Sequence, residues 1–246
     1  MDRNRRTEKG FTLVETIAAI AIAMIMMTSI YAAINMAQKS TTGIEHKVVA
    51  QQDARVALEI MAMEIRMASY DMALNRGIWV DPATCVAGTP AARGIREATS
   101  GTLAVEMDID DSGVVGDSPN EIIRYAYLSG DTDLRITRGT VRCPGPTTGG
   151  AQPFLGAPEG GTDSRTVRVI NQTVNVPVFR YYDGAGTEIF PTAGDQTSVP
   201  NIRRIDITLA AETEDIDPGT QQRRRMIYGT SVIPKNHGIT VNTATP

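Results

Sequence analysis

The sequence predicts an α+β protein in which one long N-terminal helix precedes a mostly antiparallel β-sheet. Two observations lead to this fold class. The first third of the 246-residue chain is apolar and then amphipathic, with no proline before Pro82. The rest consists of short segments of alternating polarity separated by turns rich in Gly, Pro and Asp. A long helix followed by a run of strands is typical of the α+β class.

The first element, residues 11–37, is apolar enough to cross a bilayer, and Glu15 is its only charged side chain. As a helix these residues would span roughly 40 Å, more than the ~30 Å hydrocarbon core of a membrane. Four basic residues stand in front of it: Arg3, Arg5, Arg6 and Lys9. The positive-inside rule therefore places the N-terminus in the cytoplasm.

Neither of two common N-terminal segments explains this stretch fully. A secretory signal has an apolar run of about 7–15 residues before its cleavage site, and the run here is about twice as long. A plain signal anchor fits the length but not Glu15, because a charge at the centre of a membrane helix costs about 2.5–3.5 kcal/mol. The alternative that Glu15 lies at the membrane interface, where the cost is lower, stays open.

The string KGFTLVE, residues 9–15, resembles the class III signal of type IV pilins and type II secretion pseudopilins. The resemblance implies that a prepilin peptidase cuts between Gly10 and Phe11 and that Phe11 becomes N-methylated. Glu15 matches the family's glutamate, five residues into the mature chain. A buried carboxylate needs a partner, and the resemblance implies that this partner is the new α-amine of a neighbouring subunit. Glu15 would then set the register of filament assembly.

The second half of the helix is predicted to be amphipathic and to continue to about Asn75. An apolar set recurs at spacings of three to four residues: Val56, Ile60, Met63 and Met67, with Leu58, Met61, Ile65 and Met72 close beside them. A polar side is marked by Glu59, Glu64 and Arg66. Gly43 is expected to soften the junction between the two halves, and Gly77 and Pro82 mark the end.

The strand signals follow after this helix. Candidate strands cover residues 102–107, 121–128, 133–139, 174–183, 184–190, 202–212 and 223–234. Turn residues predict one hairpin at 129–131 and another at Asp183-Gly184. Pro177 is expected to restrict its strand to an edge or a bulge. Residues 82–99 and the Gly/Pro-rich residues 143–163 are expected to be irregular loops.

Together these signals predict four parts: a leader at 1–10, a membrane or filament-core helix at 11–37, an amphipathic continuation at 38–78 and a β-rich head at 79–246. The pilin resemblance implies a single pass through the inner membrane with the head in the periplasm, and a place in a pilus or pseudopilus after assembly. Its implied partners are the prepilin peptidase and other minor and major pilins. The net charge of −4 gives no reason to expect nucleic acid as a partner.

The two cysteines, Cys85 and Cys143, are far apart and form no CxxC motif. In an oxidising compartment two such residues favour one disulfide, whereas in the cytosol they would be free thiols. Each lies in, or at the start of, a segment expected to be irregular. Since the head is expected outside the cytoplasm, we predict that the pair is bridged.

Residues 108–117, DIDDSGVVGD, form the one ligand-like cluster. The candidate calcium ligands are Asp108, Asp110, Ser112 and Asp117. The alternate places of Asp108, Asp110 and Ser112, with Gly113 at the sixth place, follow the first half of a calcium loop, and Asp117 could contribute as well. Pro119, however, stands at the twelfth place, where such a loop needs a bidentate Glu, and Glu121 comes two places late. The alternative is a solvated acidic turn between strands.

No catalytic pattern is present in the sequence, so we expect no enzyme and no cofactor other than this calcium. His46 and His237 have no Cys, Asp or Glu at catalytic or metal-binding spacing, and the common nucleotide, hydrolase and zinc motifs do not occur. The basic run 223–225 is expected to be a charged strand edge that discourages pairing. The alternative is contact with an acidic partner or with DNA.

The end of the predicted helix, IRMASYDM at 65–72, is similar to the IR-x-A-G-Y string of PilW-type minor pilins, although Ser69 stands where glycine is usual. The later strands VFRYYDGAGTEI and IRRIDITLAAE follow a similar order. This resemblance implies a structural role in type IV pilus assembly or priming. Two alternatives stay open: a J-type minor pseudopilin of type II secretion, and an unprocessed membrane-anchored binding module or adhesin.

Overall fold

The computed structural model describes residues 10–74, 77–80, 85–86, 93–130, 134–143, 147–156 and 167–238. In this part of the chain one helix, α1 (Leu13–Arg66), precedes ten strands. The strands are β1 (Ile95–Ala98), β2 (Thr102–Glu106), β3 (Ile122–Leu128), β4 (Arg135–Arg142), β5 (Thr147–Leu155), β6 (Val167–Val169), β7 (Phe179–Tyr182), β8 (Glu188–Ile189), β9 (Arg204–Thr213) and β10 (Arg225–Val232). The predicted α+β class is confirmed.

The helix α1 has 54 residues and is therefore about 80 Å long. It passes through Gly43 without interruption, because no proline removes a backbone hydrogen bond along it. Its end was predicted near Asn75, which lies outside the described residues, but α1 ends at Arg66. The predicted continuation to residue 78 was therefore too long as a helix.

A left-handed residue explains why the helix ends where it does. Ser69 has φ +63°, a conformation that glycine adopts more readily than serine. Its N–H donates to Glu106 O (2.8 Å), and Asp108 N–H donates to Tyr70 O (2.8 Å), so the chain leaves α1 alongside the end of β2. The Ser69 hydroxyl donates to Arg93 O (2.6 Å). A serine is therefore held at a position where the resembled family usually has glycine.

The first sheet is an antiparallel meander in the order β1-β2-β3-β4-β5. The predicted strands at 102–107, 121–128 and 133–139 correspond to β2, β3 and β4, and the predicted hairpin joins β3 to β4. The prediction of irregular loops at 82–99 and 143–163 was wrong in part, because β1 and β5 form within them. Pairing with β2 and β4 outweighs the poor strand composition of these two segments.

The second sheet has the order β10-β9-β7-β8, and β6 also pairs with β9. The hairpin predicted at Asp183-Gly184 joins β7 to β8. Pro177 lies before β7 and not within it, and β7 pairs with both β9 and β8. The expectation of an edge or bulged strand at Pro177 was therefore wrong, because β7 begins at Phe179, after the proline.

The core lies between α1 and the two sheets. The helix contributes buried residues at helical spacing, most of them small: Ala50, Ala54, Ala57, Leu58, Met61, Ala62 and Ile65. The predicted packing stripe was wrong at two of its four places, since Val56 and Met63 are more than half exposed. Small alanine side chains let the helix approach the sheets closely, but alanine gives only a weak signal in an apolar pattern.

Candidate functional site

The N-terminal end of α1 carries the candidate processing site. Gly10 and Phe11 precede the helix and are exposed, with Phe11 91% accessible. Apart from its chain neighbours, no described residue lies within 4 Å of the position that a side chain at Gly10 would take. The bond between these two residues therefore lies in an accessible, non-helical segment, as proteolytic cleavage requires.

Glu15 forms a capping box with Thr12, the residue before the first turn of α1. The Thr12 N–H and hydroxyl both donate to Glu15 Oε2, at 2.9 and 3.0 Å. The Glu15 N–H donates in return to Thr12 Oγ1 (3.3 Å). These bonds satisfy N–H groups that the first turn of a helix leaves unpaired. In the single chain the carboxylate therefore has a local partner at the start of the apolar segment.

The N-terminal half of α1 has the composition of a membrane span. Its most apolar 18-residue window has a mean hydropathy of 2.3, and none of that window is buried against the rest of the protein. The large apolar side chains from Leu13 to Met36 are at least half exposed. Among the described residues this is the one helix long and apolar enough to cross a bilayer. Exposed apolar surface of this size needs a membrane or a partner.

Comparison with protein families identifies the same segment. Residues 5–31 match the prokaryotic N-terminal methylation motif. The match includes Gly10, Phe11 and Glu15, and it supports a type IV pilin-like protein with a class III signal and a structural role. It also supports processing by a prepilin peptidase, assembly with other pilins and anchoring in a membrane. Neither a curated protein nor a solved structure matches the chain significantly.

The predicted disulfide between Cys85 and Cys143 is confirmed, with 5.6 Å between the two Cα atoms. It connects the segment after Trp79 to the end of β4, beside a small apolar cluster. That cluster consists of Trp79, Val80, Val115, Ile122, Val141 and Cys143. The bridge closes 58 residues of chain, which in the loop-entropy account stabilises the folded state by about 4 kcal/mol.

In the acidic loop between β2 and β3, two of the four residues that the spacing selected, Asp108 and Asp110, lie together with Glu121. Asp108, Asp110 and Glu121 form one group in which an oxygen of each lies within 4.8 Å of the others. Ser112 contributes its N–H to Asp108 Oδ1 (3.2 Å) and Asp110 Oδ1 (3.1 Å). Asp117 is not part of either acidic group. Its carbonyl oxygen accepts from Arg142 Nη2 (2.7 Å).

Glu121 acts as the centre of this loop although it comes two places late for a calcium loop. Its Oε2 accepts the N–H groups of Gly116 (2.8 Å) and Ser118 (3.1 Å), and its Oε1 accepts that of Ile109 (3.2 Å). Burial nevertheless raises the pKa of the Glu121 carboxyl above its usual value. Glu121 is therefore already used by the loop backbone.

A second acidic group joins the loop to the segment that follows α1. One carboxylate oxygen each from Asp71, Asp108 and Asp111 lies within 4.8 Å of the other two. Asp71 is only 5% exposed and Asp108 is fully buried, whereas Asp111 is exposed. No sequence pattern indicated Asp71, because 36 residues lie between Asp71 and Asp108 in the chain and only the fold brings the two side chains together.

The three arginines of the basic run 223–225 have acidic partners in β9 and in the loop that follows it. Arg224 Nε donates to Asp217 Oδ2 (2.7 Å). Arg223 and Arg225 both reach Glu212, at 4.0 and 3.3 Å. The run 223–225 thus forms ion pairs within the head, at the start of β10, which is the outer strand of its sheet.

The two histidines have separate structural surroundings. His46 Nε2 lies 3.6 Å from Asp215 Oδ2, where a loop of the head meets α1. His237 is buried, and its ring nitrogens lie close to Ser69 Oγ, Arg93 O and Val199 O. Burial lowers the pKa of the His237 imidazole.

One ion pair fastens the helix to the first sheet. Arg138 Nη2 donates to Glu64 Oε1 (2.8 Å), and the hydroxyl of the buried Tyr125 donates to Glu64 Oε2. Burial and this bond to a carboxylate raise the pKa of Tyr125, and the bond to Glu64 raises that of Arg138. Sequence pattern placed Glu64 on the outer, polar side of the helix, which was wrong, because its carboxylate faces the sheet.

Proposed function

We propose that this protein is a minor pilin that takes part in the assembly or priming of a type IV pilus. The observation that carries the proposal is the N-terminal methylation motif on an exposed apolar helix that leads directly into a β-rich head. Cleavage between Gly10 and Phe11 would leave α1 intact, so the same helix would serve first as an anchor and then as the filament-core segment.

In this proposal the chain crosses the inner membrane once, and the head lies in the periplasm. Four basic residues in front of Phe11 support this orientation through the positive-inside rule. The disulfide between Cys85 and Cys143 supports it independently, because disulfides persist in oxidising compartments.

The proposed role of Glu15 is to select the register of assembly. Among the described residues of the single chain, Thr12 is the one that holds Glu15 Oε2. In a filament core, where water is excluded, the methylated amine of Phe11 on a neighbouring subunit would provide an opposite charge. Correct stagger would pair the two charges, and a wrong stagger would bury one of them alone, which is costly.

A filament-recruitment experiment tests this function. The full chain, the Glu15→Ala variant and a matched Glu59→Ala variant are expressed in cells with a working pilus system, and sheared filaments are probed for the protein. Glu59 is an exposed glutamate in the C-terminal half of the same helix, the half that packs on the head. We expect Glu15→Ala to be cleaved normally but strongly depleted from filaments, with Glu59→Ala incorporated like the natural chain. Normal incorporation of Glu15→Ala contradicts the register role.

The alternatives predict different partners or a different N-terminus. A minor pseudopilin of type II secretion would cross-link to pseudopilins and its loss would abolish secretion, not piliation. A membrane-anchored binding module or adhesin would retain residues 1–10. The PilW-type assignment is supported by the left-handed Ser69 at the position where that string has glycine. Cross-linking of the membrane-inserted chain, followed by identification of the bound pilins, separates the first two systems.

A further inference from the structure

We propose that Asp71, Asp108 and Asp111 form a calcium site that fastens the exit of α1 to the loop between β2 and β3. The site is independent of the proposed pilin function. It shares only Asp108 with the acidic group that contains Asp110 and Glu121.

The geometry of the three carboxylates suits one cation. An oxygen of each lies within 4.8 Å of the other two. Oxygen ligands on opposite sides of one calcium ion, at 2.3–2.6 Å from it, are about 4.6–5.2 Å apart. Carboxylates of this arrangement, completed by water, are the ligands that calcium prefers, and calcium tolerates the irregular geometry that a loop provides.

Asp71 provides the second and independent observation. Asp71 is only 5% exposed, and its Oδ2 atom is buried with no hydrogen-bond partner among the described residues. Within the same part of the chain its other oxygen accepts the N–H of Ala73 (3.0 Å). A buried carboxylate oxygen without a donor is costly, and a bound cation is one of the few ways to remove that cost.

In the described part of the chain no basic side chain forms an ion pair with these three carboxylates. The ion pairs formed there involve other acidic residues, and none includes Asp71, Asp108 or Asp111. Asp108 is fully buried, and its two oxygens accept one backbone N–H each, from Ser112 (3.2 Å) and Gly113 (2.9 Å). Each of these oxygens keeps a lone pair for a metal.

The group that contains Asp110 and Glu121 is the weaker candidate for the same ion. Glu121 already accepts three backbone N–H groups, and Asp110 Oδ2 accepts the Ser118 hydroxyl. Its carboxylates are thus used by the loop itself. The unpartnered oxygen lies on Asp71 instead. A cation there would join the segment after the helix to the loop, beside the bond from Asp108 N–H to Tyr70 O.

The experiment uses the full chain in detergent, freed of metal with EDTA and titrated with calcium chloride by calorimetry and by thermal unfolding. We expect one calcium ion per chain. At about 100 times the Kd it should raise Tm by roughly 5–10 °C, as for a ligand that binds only the folded state of a chain of this size. Magnesium chloride should give a smaller shift, because Mg²⁺ demands a more regular, tighter octahedral site.

Three variants separate the two acidic groups. Asp71→Asn should weaken calcium binding at least about 10-fold, by comparison with the 10–100-fold effects of even indirect ligand partners, and at the same calcium concentration it should reduce the calcium-dependent rise in Tm to about half or less. Without calcium its Tm should equal or exceed that of the natural chain, because a buried charge is removed. Asp111→Asn, on an exposed residue, should also lose binding with the fold intact. Asp110→Asn, in the other group, should bind within about 3-fold of the natural chain.

Several results would overturn the site. They are the absence of both heat and Tm shift in the natural chain, unchanged binding by Asp71→Asn and Asp111→Asn, and a loss of binding by Asp110→Asn as large as that by Asp71→Asn. An equal response to magnesium would overturn the assignment to calcium. If Asp71→Asn fails to fold, the Asp111→Asn and Asp110→Asn pair decides the question alone.

Discussion

The two halves of α1 share one continuous helical backbone but have opposite environments. Residues 13–37, the membrane half, bury no side chain against the rest of the protein, although they are almost entirely apolar. Residues 50–66, the head half, bury an alanine-rich stripe against two sheets. The more apolar half is therefore the one that the single chain leaves uncovered. The difference shows that the membrane half depends on a bilayer or other helices, whereas the stability of the head half comes from packing within the chain.

The largest expected difference between the halves comes from deleting one apolar side chain in each. Ile65→Ala, at a fully buried place, should destabilise the head by about 2–5 kcal/mol. The matched Ile25→Ala, at a 68% exposed place, should leave head stability unchanged within ~0.5 kcal/mol. Urea unfolding of the full chain in detergent, followed by the fluorescence of the one tryptophan, buried Trp79, measures both. Equal effects would show that the two halves are not energetically separate.

Removal of the disulfide should weaken only the head. The double variant Cys85→Ala/Cys143→Ala should lose about 2–4 kcal/mol, because the unfolded chain regains the freedom of a 58-residue loop. The helix content of the membrane half, measured by circular dichroism in micelles after head unfolding, should not change. A loss of that residual helix would contradict the separation.

Two glutamates, one in each half of α1, allow the same comparison of the halves with charged side chains. Glu64→Gln should cost about 1–3 kcal/mol of head stability, because it leaves the partly buried Arg138 without its anionic partner. Glu15→Gln should leave head stability unchanged, since the Glu15 carboxylate is hydrogen-bonded to Thr12 at the far end of α1 and, in the described part of the chain, to no residue of the head. The urea midpoints of the two variants, read from Trp79, check this. Destabilisation of the head by Glu15→Gln would show coupling along α1.

The boundary between the halves can be tested at Gly43. A Cβ there would lie 3.0 Å from Asp217 Oδ2, and Asp217 is held in place by Arg224 and by two backbone N–H groups. Gly43→Ala alone should therefore destabilise the head or leave it unchanged, although alanine favours a helix by about 1 kcal/mol over glycine.

In an Asp217→Ala background the same Gly43→Ala change should stabilise by about 1 kcal/mol, because the contact is gone. Thermal unfolding of the four proteins gives the coupling energy. Additive effects would mean that the loop at Asp217 does not restrain this turn of α1.

The smallest expected effect is a loss of head stability at acidic pH. Burial lowers the pKa of His237 in the folded state, so below the ordinary value of about 6.5 the unfolded chain binds a proton that the folded chain does not. Head stability should therefore fall as the pH drops below about 6.5, by at most about 1.4 kcal/mol per pH unit from this residue. The urea midpoint at pH 7 and pH 5.5, compared with that of His237→Gln, measures it. An equal acid response in the variant would assign the effect to other groups.

Sequence alone was sufficient where one local pattern determined the structure. The length and composition of residues 11–37 predicted the apolar half of α1, and alternation predicted β2, β3, β9 and β10. Prediction from the sequence failed where pairing with another strand decides the structure. The short β1 and the glycine-containing β5 form because they pair with β2 and β4. The prediction also misplaced the buried face of the helix, because Ala54 and Ala57 carry little apolar signal although both are buried.

The candidate sites show the same division. Glu15, Gly10 and Phe11 stand in one contiguous string, so the sequence could indicate them directly. The cysteine pair could be predicted from the expected compartment. Asp71 could not be associated with Asp108 from sequence, because only the turn at Ser69 brings the end of the helix beside the loop.

The intact mass of the protein extracted from membranes of its own host tests the central claim most directly. If α1 is the retained part of a prepilin-type signal, the mature chain begins at N-methylated Phe11 and lacks residues 1–10, while residues 11–246 remain as one piece. A Gly10→Val variant, altered only at the expected cleavage site, should keep the leader. An intact Met1 in the natural chain, or a cut at any other bond, would contradict the account.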